Sequence, residues 1–378
     1  MSPQKDRLLL CYLRTGGGHY APARALQEFI RLHDADRIEP ILIDGLKGAG
    51  AFSRYIVEDG YRITQARARW IYEGAYAFTK PAPIAKANSI LVSRALRPHL
   101  ERTILEQKPR GIVILHFFLI APLLEILRRN NLDIPAITIV TDPFTAHPLW
   151  FVQKQQQMVV FSEKVKATAL RKGIADRSLH VCPFILDDRF LQTRPNEDAT
   201  RRKVRLGFRS DQKMVLLLGG GDGMPRGLRI ARTLLRGLPD TGVVLIAGKN
   251  NSLLRKGRDL ASRPSGRNLR VFGYVDDVPD LVAAADAVLT KGGASTLMEI
   301  LALGKFPIIT TYIWEQEKGN VEFVVDNHRG IYEPDIRRLP ALLKEIFHRG
   351  GGGISIPRAP AQNGTPVVAE LIRRTLYP

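Results

Sequence analysis

The chain has 378 residues, 45% apolar and 25% charged; this is the composition of a soluble globular protein, and the length exceeds one ordinary core. With 56 Lys and Arg against 37 Asp and Glu, the formal charge is +19, a field that attracts nucleic acid, anionic lipid head groups or phosphate-bearing substrates without choosing among them. Two cysteines, Cys11 and Cys182, exclude a disulfide framework and imply a reducing compartment.

Met1–Arg7 leads into a short apolar strand, Arg7–Arg14, with no secretory pattern. Three glycines follow, and Tyr20–Leu32 continues at helical spacing through Ala23, Leu26, Phe29 and Ile30. Further strands are expected at Ile38–Ile43, Gly111–His116, Ala136–Thr141 and Met158–Phe161, with periodic segments between most of them. The most apolar run, Gly111–Leu127, holds His116, Pro122 and Glu125 and is short for a membrane span, so it reads as a buried strand and then a helix. Any meeting with a membrane is therefore expected at its surface.

The pattern breaks into a basic, polar stretch near 187–213 and then restarts. A strand at Met214–Leu218, a glycine turn at Gly219–Gly223 and a helix around Leu228–Leu238 repeat the opening order. Strands at Val243–Ala247, Leu269–Tyr274, Ala287–Thr290 and Pro307–Thr311 complete the series. The fold class is α/β: two Rossmann-like domains, each opening with a glycine loop, facing across a cleft. The expected boundaries are 1–190 for the first domain, 191–213 for the linker, 214–350 for the second domain and 351–378 for a tail with a C-terminal helix.

Thr15–His19 (TGGGH) lets backbone approach an anion at a helix N-terminus. His19 at that mouth is either a base for an attacking hydroxyl or a structural histidine beside a tight turn. Gly219–Met224 (GGGDGM) is a second candidate for holding a diphosphate, or a turn made for packing. Over Val271–Val325, the strand end Phe272, Gly273 and Tyr274 can offer backbone groups to a planar base. The turn at Gly292–Thr296 opens a helix, and Glu299 on it can accept two ribose hydroxyls or serve as a first-turn carboxylate. Glu315, Gln316, Glu317 and Asn320 suit sugar hydroxyls, or else a solvated helix start.

TGGGH, GGGDGM, KGGASTLME and EQEKGN occur in the order and spacing of glycosyltransferase family 28. Within it the chain resembles the monogalactosyldiacylglycerol synthases and the bacterial processive diacylglycerol glucosyltransferases, over about residues 7–347. Val140–Trp150 (VTDPFTAHPLW) and His116 add to the likeness. The resemblance implies a GT-B fold and inverting transfer of galactose or glucose from UDP-galactose or UDP-glucose to diacylglycerol, with no metal and no other cofactor. The first domain then holds acceptor and membrane, and the second holds the UDP-sugar.

By this resemblance His19 is the base, and Gly17, Gly18, Gly220 and Gly221 face the donor phosphates. Phe272, Gly273 and Tyr274 meet uracil, Gly293, Ser295 and Thr296 line the turn, Glu299 binds ribose, and Gln316, Glu317 and Asn320 contact the hexose. Asp142 and His147 support the acceptor side, where their alternative is a turn at a strand end. Trp314–Glu315 stand where Pro–Gly is usual, beside the sugar pocket.

The acceptor stretch, 54–110, has Lys and Arg outnumbering Asp and Glu about two to one, with Trp70, Tyr72, Tyr76 and Phe78 among them. Such interleaving suits a monotopic segment on an anionic membrane, here its cytoplasmic face, or a solvated surface over a few core aromatics. No helix-turn-helix, zinc finger or RNA-recognition pattern accompanies the charge, so nucleic acid is not an expected partner. A polyprenyl-linked lipid as acceptor of N-acetylglucosamine, and UDP-sugar epimerisation, are the alternative activities.

Overall fold

A computed structural model of the chain describes residues 5–14, 17–47, 82–191, 199–348 and 362–377, the side chains of 82–91 excepted. Trp70 and the other aromatics singled out in the acceptor stretch lie outside these residues. Packing divides the chain into two compact units at Asp188/Arg189, with Ile313–Gln316 and the segment from Gln362 grouped with the first.

The first unit runs β1 (Asp6–Tyr12), α1 (Gly17–His33), β2 (Ile38–Asp44), α2 (Ala82–Gln107), β3 (Gly111–Ile114), α3 (Phe117–Arg129), β4 (Ala136–Ile139), β5 (Gln157–Val160), α4 (Glu163–Arg171) and β6 (Leu179–Val181). All strands are parallel, in the order β2-β1-β3-β4-β5-β6. Their near-continuous apolar sequences follow from burial on both faces. One core layer joins Leu9 and Cys11 of β1 and Ile112 and Ile114 of β3 to Leu96, Leu100 and Ile104 of α2 and Leu119, Leu123 and Ile126 of α3. The helical residues recur every three or four positions, so each helix gives this layer one stripe. Fully burying each such leucine or isoleucine contributes about 1.5–3 kcal/mol. His116 and Ser162 cap α3 and α4 by accepting the Phe118 and Val165 N–H groups.

Sheet order reverses at β1, whose successors in sequence, β2 and β3, lie on opposite sides of it. A crevice for ligands therefore opens beyond the carboxyl ends of β1 and β3.

The second unit runs α5 (Ala199–Arg205), β7 (Met214–Leu218), α6 (Gly227–Gly237), β8 (Gly242–Ile246), α7 (Asn251–Ala261), β9 (Leu269–Phe272), α8 (Val278–Ala284), β10 (Ala287–Lys291), α9 (Ala294–Ala302), β11 (Pro307–Thr311), α10 (Lys318–Asp326), β12 (Ile331–Tyr332) and α11 (Leu339–His348). Its parallel order, β12-β11-β10-β7-β8-β9, reverses between β7 and β10. Every residue of β7 and β8 is buried.

Two features differ from the sequence reading. The basic stretch is not plain linker: α5 lies in it, and Lys203 Nζ, though buried, is 2.6 Å from Asp286 Oδ2. The last helix, α12 (Thr365–Leu376), expected at the end of the tail, groups with the first unit. Thr365 Oγ1 donates to Leu186 O at 2.7 Å, and the Tyr377 hydroxyl donates to Asp6 Oδ2 at 2.6 Å.

Candidate active site

Three strands of the first unit bring one histidine under control. His19 is the third residue of α1, just past β1, and is only 5% exposed. Its Nδ1 lies 3.0 Å from the Leu115 carbonyl oxygen, just past β3, and 2.6 Å from Thr141 Oγ1, just past β4. A carbonyl can only accept, so Nδ1 carries the proton and Nε2 the lone pair. Burial pulls the His19 pKa down to about 4, while the Leu115 hydrogen bond opposes that shift. At neutral pH the ring is therefore neutral, with its basic nitrogen ready.

His116 lies beside it, ring centroids 4.4 Å apart. Burial, and secondarily the charge His19 would carry, hold the His116 pKa well below its ordinary value. A folded-state pKa below the unfolded one gives stability that is whole above about pH 6.5 and is lost as pH falls. Between pH 6.5 and 4, loss of the His19 contribution alone is expected to cost on the order of 3 kcal/mol. Urea midpoints across this range check it, and the slope should shrink in His19→Gln.

Asp142 and His147 are linked to the surroundings of His19 through aromatic rings. Asp142 Oδ2 accepts the indole N–H of the fully buried Trp150 at 2.7 Å, and that ring is centred 6.3 Å from His19. His147 Nδ1 accepts the Leu149 N–H, and its ring stacks on Phe117, which in turn abuts His116. Gly17 and Gly18 open α1; a Cβ on either meets no atom of the described residues within 4 Å. Thr15 and Gly16 lie outside the described residues.

In the second unit the turn after β7 is shaped by its own close contacts. Gly220 and Gly223 have φ of +76° and +79°, and Gly248, after β8, has φ +57°. A Cβ on Gly248 would run into the Gly221 carbonyl oxygen, and one on Gly219 into Gly223 and Met224. These glycines draw the loop tight. Gly220 faces the first turn of α9, where a Cβ would lie 3.8 Å from Thr296 Oγ1; Gly221 faces open space. Beside Thr296, Ser295 Oγ is buried and makes no hydrogen bond within the described protein. Two glycine turns and a helix N-terminus thus converge at the switch point of this sheet, a geometry that favours anions.

The remaining candidates of the second unit lie along the neighbouring strand ends. The Phe272 carbonyl is taken by the Ala247 N–H at 2.8 Å, while Gly273 and the half-exposed Tyr274 lie beyond the strand. Lys249 Nζ sits 5.6 Å from the Tyr274 ring centroid, within cation–π reach. Glu299 is half-buried on α9. Glu317 is buried and 3.2 Å from Lys291 Nζ, and Asn320 Nδ2 donates to Gly292 O at 2.9 Å. Gly293, the N-cap of α9, is close to both charges: a Cβ there would lie 3.6 Å from Glu317 Oε1 and 3.7 Å from Lys291 Nζ. Gln316 precedes them, half-buried, in a turn where Glu315 adopts φ +68°. The family's usual glycine at that position fits such a backbone without strain. Sequence reasoning missed Thr141, Trp150, Lys291 and Gly248; each stands at or just beyond a strand end or within a quoted motif, which is the signal that was available.

Solved structures with the same fold include Anabaena HepE in complex with UDP (TM-score 0.58, 14% identity, 99% of each chain covered) and Acinetobacter baumannii MurG (0.57, 16%, 98% of this chain and 100% of that one). Two doubly wound parallel sheets in tandem, each with a glycine turn at its switch point, define the GT-B fold. Residues 19–183 match the family model of monogalactosyldiacylglycerol (MGDG) synthase, and residues 214–349 that of the glycosyltransferase family 28 C-terminal domain. Between them these two models cover both units, and the chain is similar to glycosyltransferase family 28, its first unit to the monogalactosyldiacylglycerol synthases. Relatives include a probable chloroplastic monogalactosyldiacylglycerol synthase of Nicotiana tabacum, 26% identical over 92% of this chain, and monogalactosyldiacylglycerol synthase 3 of Arabidopsis thaliana, 27% identical over 90%. The chain spans 65% and 74% of their respective lengths.

Proposed function

We propose that the protein transfers a hexose, galactose or glucose, with inversion from a UDP-sugar to the free hydroxyl of diacylglycerol, forming a glycoglycerolipid and UDP. The observation that carries this reading is the fixed, neutral His19, held at the switch point of the sheet within the segment matched to the synthases. Its Nε2 takes the proton of the acceptor hydroxyl as that oxygen bonds to the anomeric carbon. The bond from the anomeric carbon to the diphosphate breaks, and its electron pair leaves with UDP. Gly220, Gly221, Gly293, Ser295 and Thr296 receive the diphosphate, and the α9 N-terminus offsets its growing charge. The buried, unbonded Ser295 hydroxyl supports an oxygen-rich ligand there. Glu299 takes the ribose hydroxyls, Gly273 and Tyr274 the base, and Gln316, Glu317 and Asn320 the hexose. Asp142 and His147 steady the aromatic packing around His19.

Among the described residues no helix is long and apolar enough to cross a membrane, and no group of three or more His, Cys, Asp or Glu is arranged to hold a metal ion. The acceptor is reached from the bilayer surface, with the protein peripheral on the cytoplasmic face and drawn there by its charge of +19. Each basic residue near anionic lipid contributes about 1 kcal/mol. The protein should accordingly sediment with anionic vesicles at low salt and leave them as salt rises; indifference to such vesicles would remove membrane docking. Incubation with diacylglycerol in anionic vesicles and UDP-galactose, UDP-glucose or UDP-N-acetylglucosamine separately, followed by mass analysis of lipids, tests the whole reading. Hexosyl-diacylglycerol is the expected product. UDP binding without any glycolipid product would overturn the acceptor.

A further inference from the structure

Thr141 takes no part in the reaction just described, yet its hydroxyl is closer to His19 than any other hydrogen-bonding group recorded for that ring: 2.6 Å from Nδ1, against 3.0 Å for the Leu115 carbonyl. It is 3% exposed, so the contact is buried. The two groups come from the ends of β4 and β3, and His19 stands past the end of β1, which flanks β3 on its other side.

The chemistry of the pair is constrained. Because Leu115 offers only a carbonyl, the Nδ1 proton points into the space shared by that oxygen and Thr141 Oγ1, and both accept from it. When Nε2 takes a proton, the ring gains a positive charge in a buried pocket where water offers no relief. Nearby oxygen dipoles are then the chief local compensation. His116 does not help: its Nδ1 already accepts the Phe118 N–H, and a charge on it would repel one on His19. The aromatic neighbour Trp150 has committed its N–H to Asp142.

We propose that Thr141 is a positioning residue for the transfer reaction: with the Leu115 carbonyl it locks His19 in the tautomer whose Nε2 is basic and shares the charge His19 acquires on taking the acceptor proton. The proposal rests on His19 being the base. Thr141 never touches substrate. Its effect is therefore on turnover and on the titration of His19, not on donor binding.

The test uses Thr141→Val, which keeps the shape and removes the hydroxyl, with Thr141→Ser and His19→Gln beside it. In Thr141→Val, kcat should fall about 10- to 100-fold, part of what general base catalysis supplies, with the KM for UDP-sugar unchanged. The acid limb of its pH–rate profile should move to lower pH, because the protonated ring has lost an acceptor. Thr141→Ser should recover most of the rate and the original profile. Circular-dichroism spectra and melts, which report on both units, check that each variant is folded. Wild-type kcat and pH profile in Thr141→Val, with His19→Gln inactive, would overturn the role of Thr141 and leave the base standing. Full activity in His19→Gln would instead overturn the reading of the base itself, and this proposal with it. A loss in Thr141→Val that Thr141→Ser does not restore, with an unmoved acid limb, would mean that only packing was disturbed and would likewise overturn the role.

Discussion

Replacing His19 by Ala is expected to lower turnover by about two to four orders of magnitude, the range general base catalysis supplies, while UDP binding survives. The loss is large because, among the described residues, the titratable groups near the ring are engaged elsewhere. His116 has its Nδ1 engaged in capping α3, and Asp142 is engaged by the Trp150 indole. UDP binding survives because the Gly220 turn, Ser295 and Thr296 belong to the second unit, which His19 does not help to build. Steady-state rates of glycolipid formation, with calorimetric titration of UDP into the same variant, make the measurement. Near-normal turnover in His19→Ala would remove the residue as the base, whatever its geometry.

Gly248→Ala should be strongly damaging to the second unit. At φ +57° any other residue is strained, which costs about 1 kcal/mol. The added Cβ is also aimed at the Gly221 carbonyl and lies 3.1 Å from that of Gly220. Relief requires the whole turn after β7 to move, breaking the 2.8 Å bond from the Lys249 N–H to Gly221 O. The expected outcome is a stability loss of about 1–3 kcal/mol and a UDP Kd at least about tenfold weaker, since a shifted turn no longer meets α9. Thermal melts with and without UDP read both effects. A variant that melts lower yet keeps its UDP affinity would mean that the turn's shape does not govern the site.

The contrast between these residues marks how far the sequence could be read. Glycine turns after β1, β7 and β10 were legible because a backbone that must turn tightly or admit an anion needs glycine locally, whatever surrounds it. Most strands were legible too, to within a residue or two at their ends, since a strand buried on both faces must be apolar throughout. The short edge strands β6 and β12 were not, because three or two residues are too few to carry a pattern. The sequence also left α5 hidden. Its Arg and Lys residues read as solvated linker, but Lys203 is buried against Asp286, a partner 83 residues away.

Chain order and residue type made His19, Glu317 and the glycine loops candidates. Which nitrogen of His19 is basic was a tertiary decision. It depends on a carbonyl 96 residues away and a hydroxyl 122 residues away, brought together only because β1, β3 and β4 are neighbours in the sheet. The pairing of Glu317 with Lys291, across β10 and the start of α10, was likewise beyond any local pattern. Local steric demand is written residue by residue. Proton placement, burial and charge pairing belong to distances that exist only once the sheets have formed.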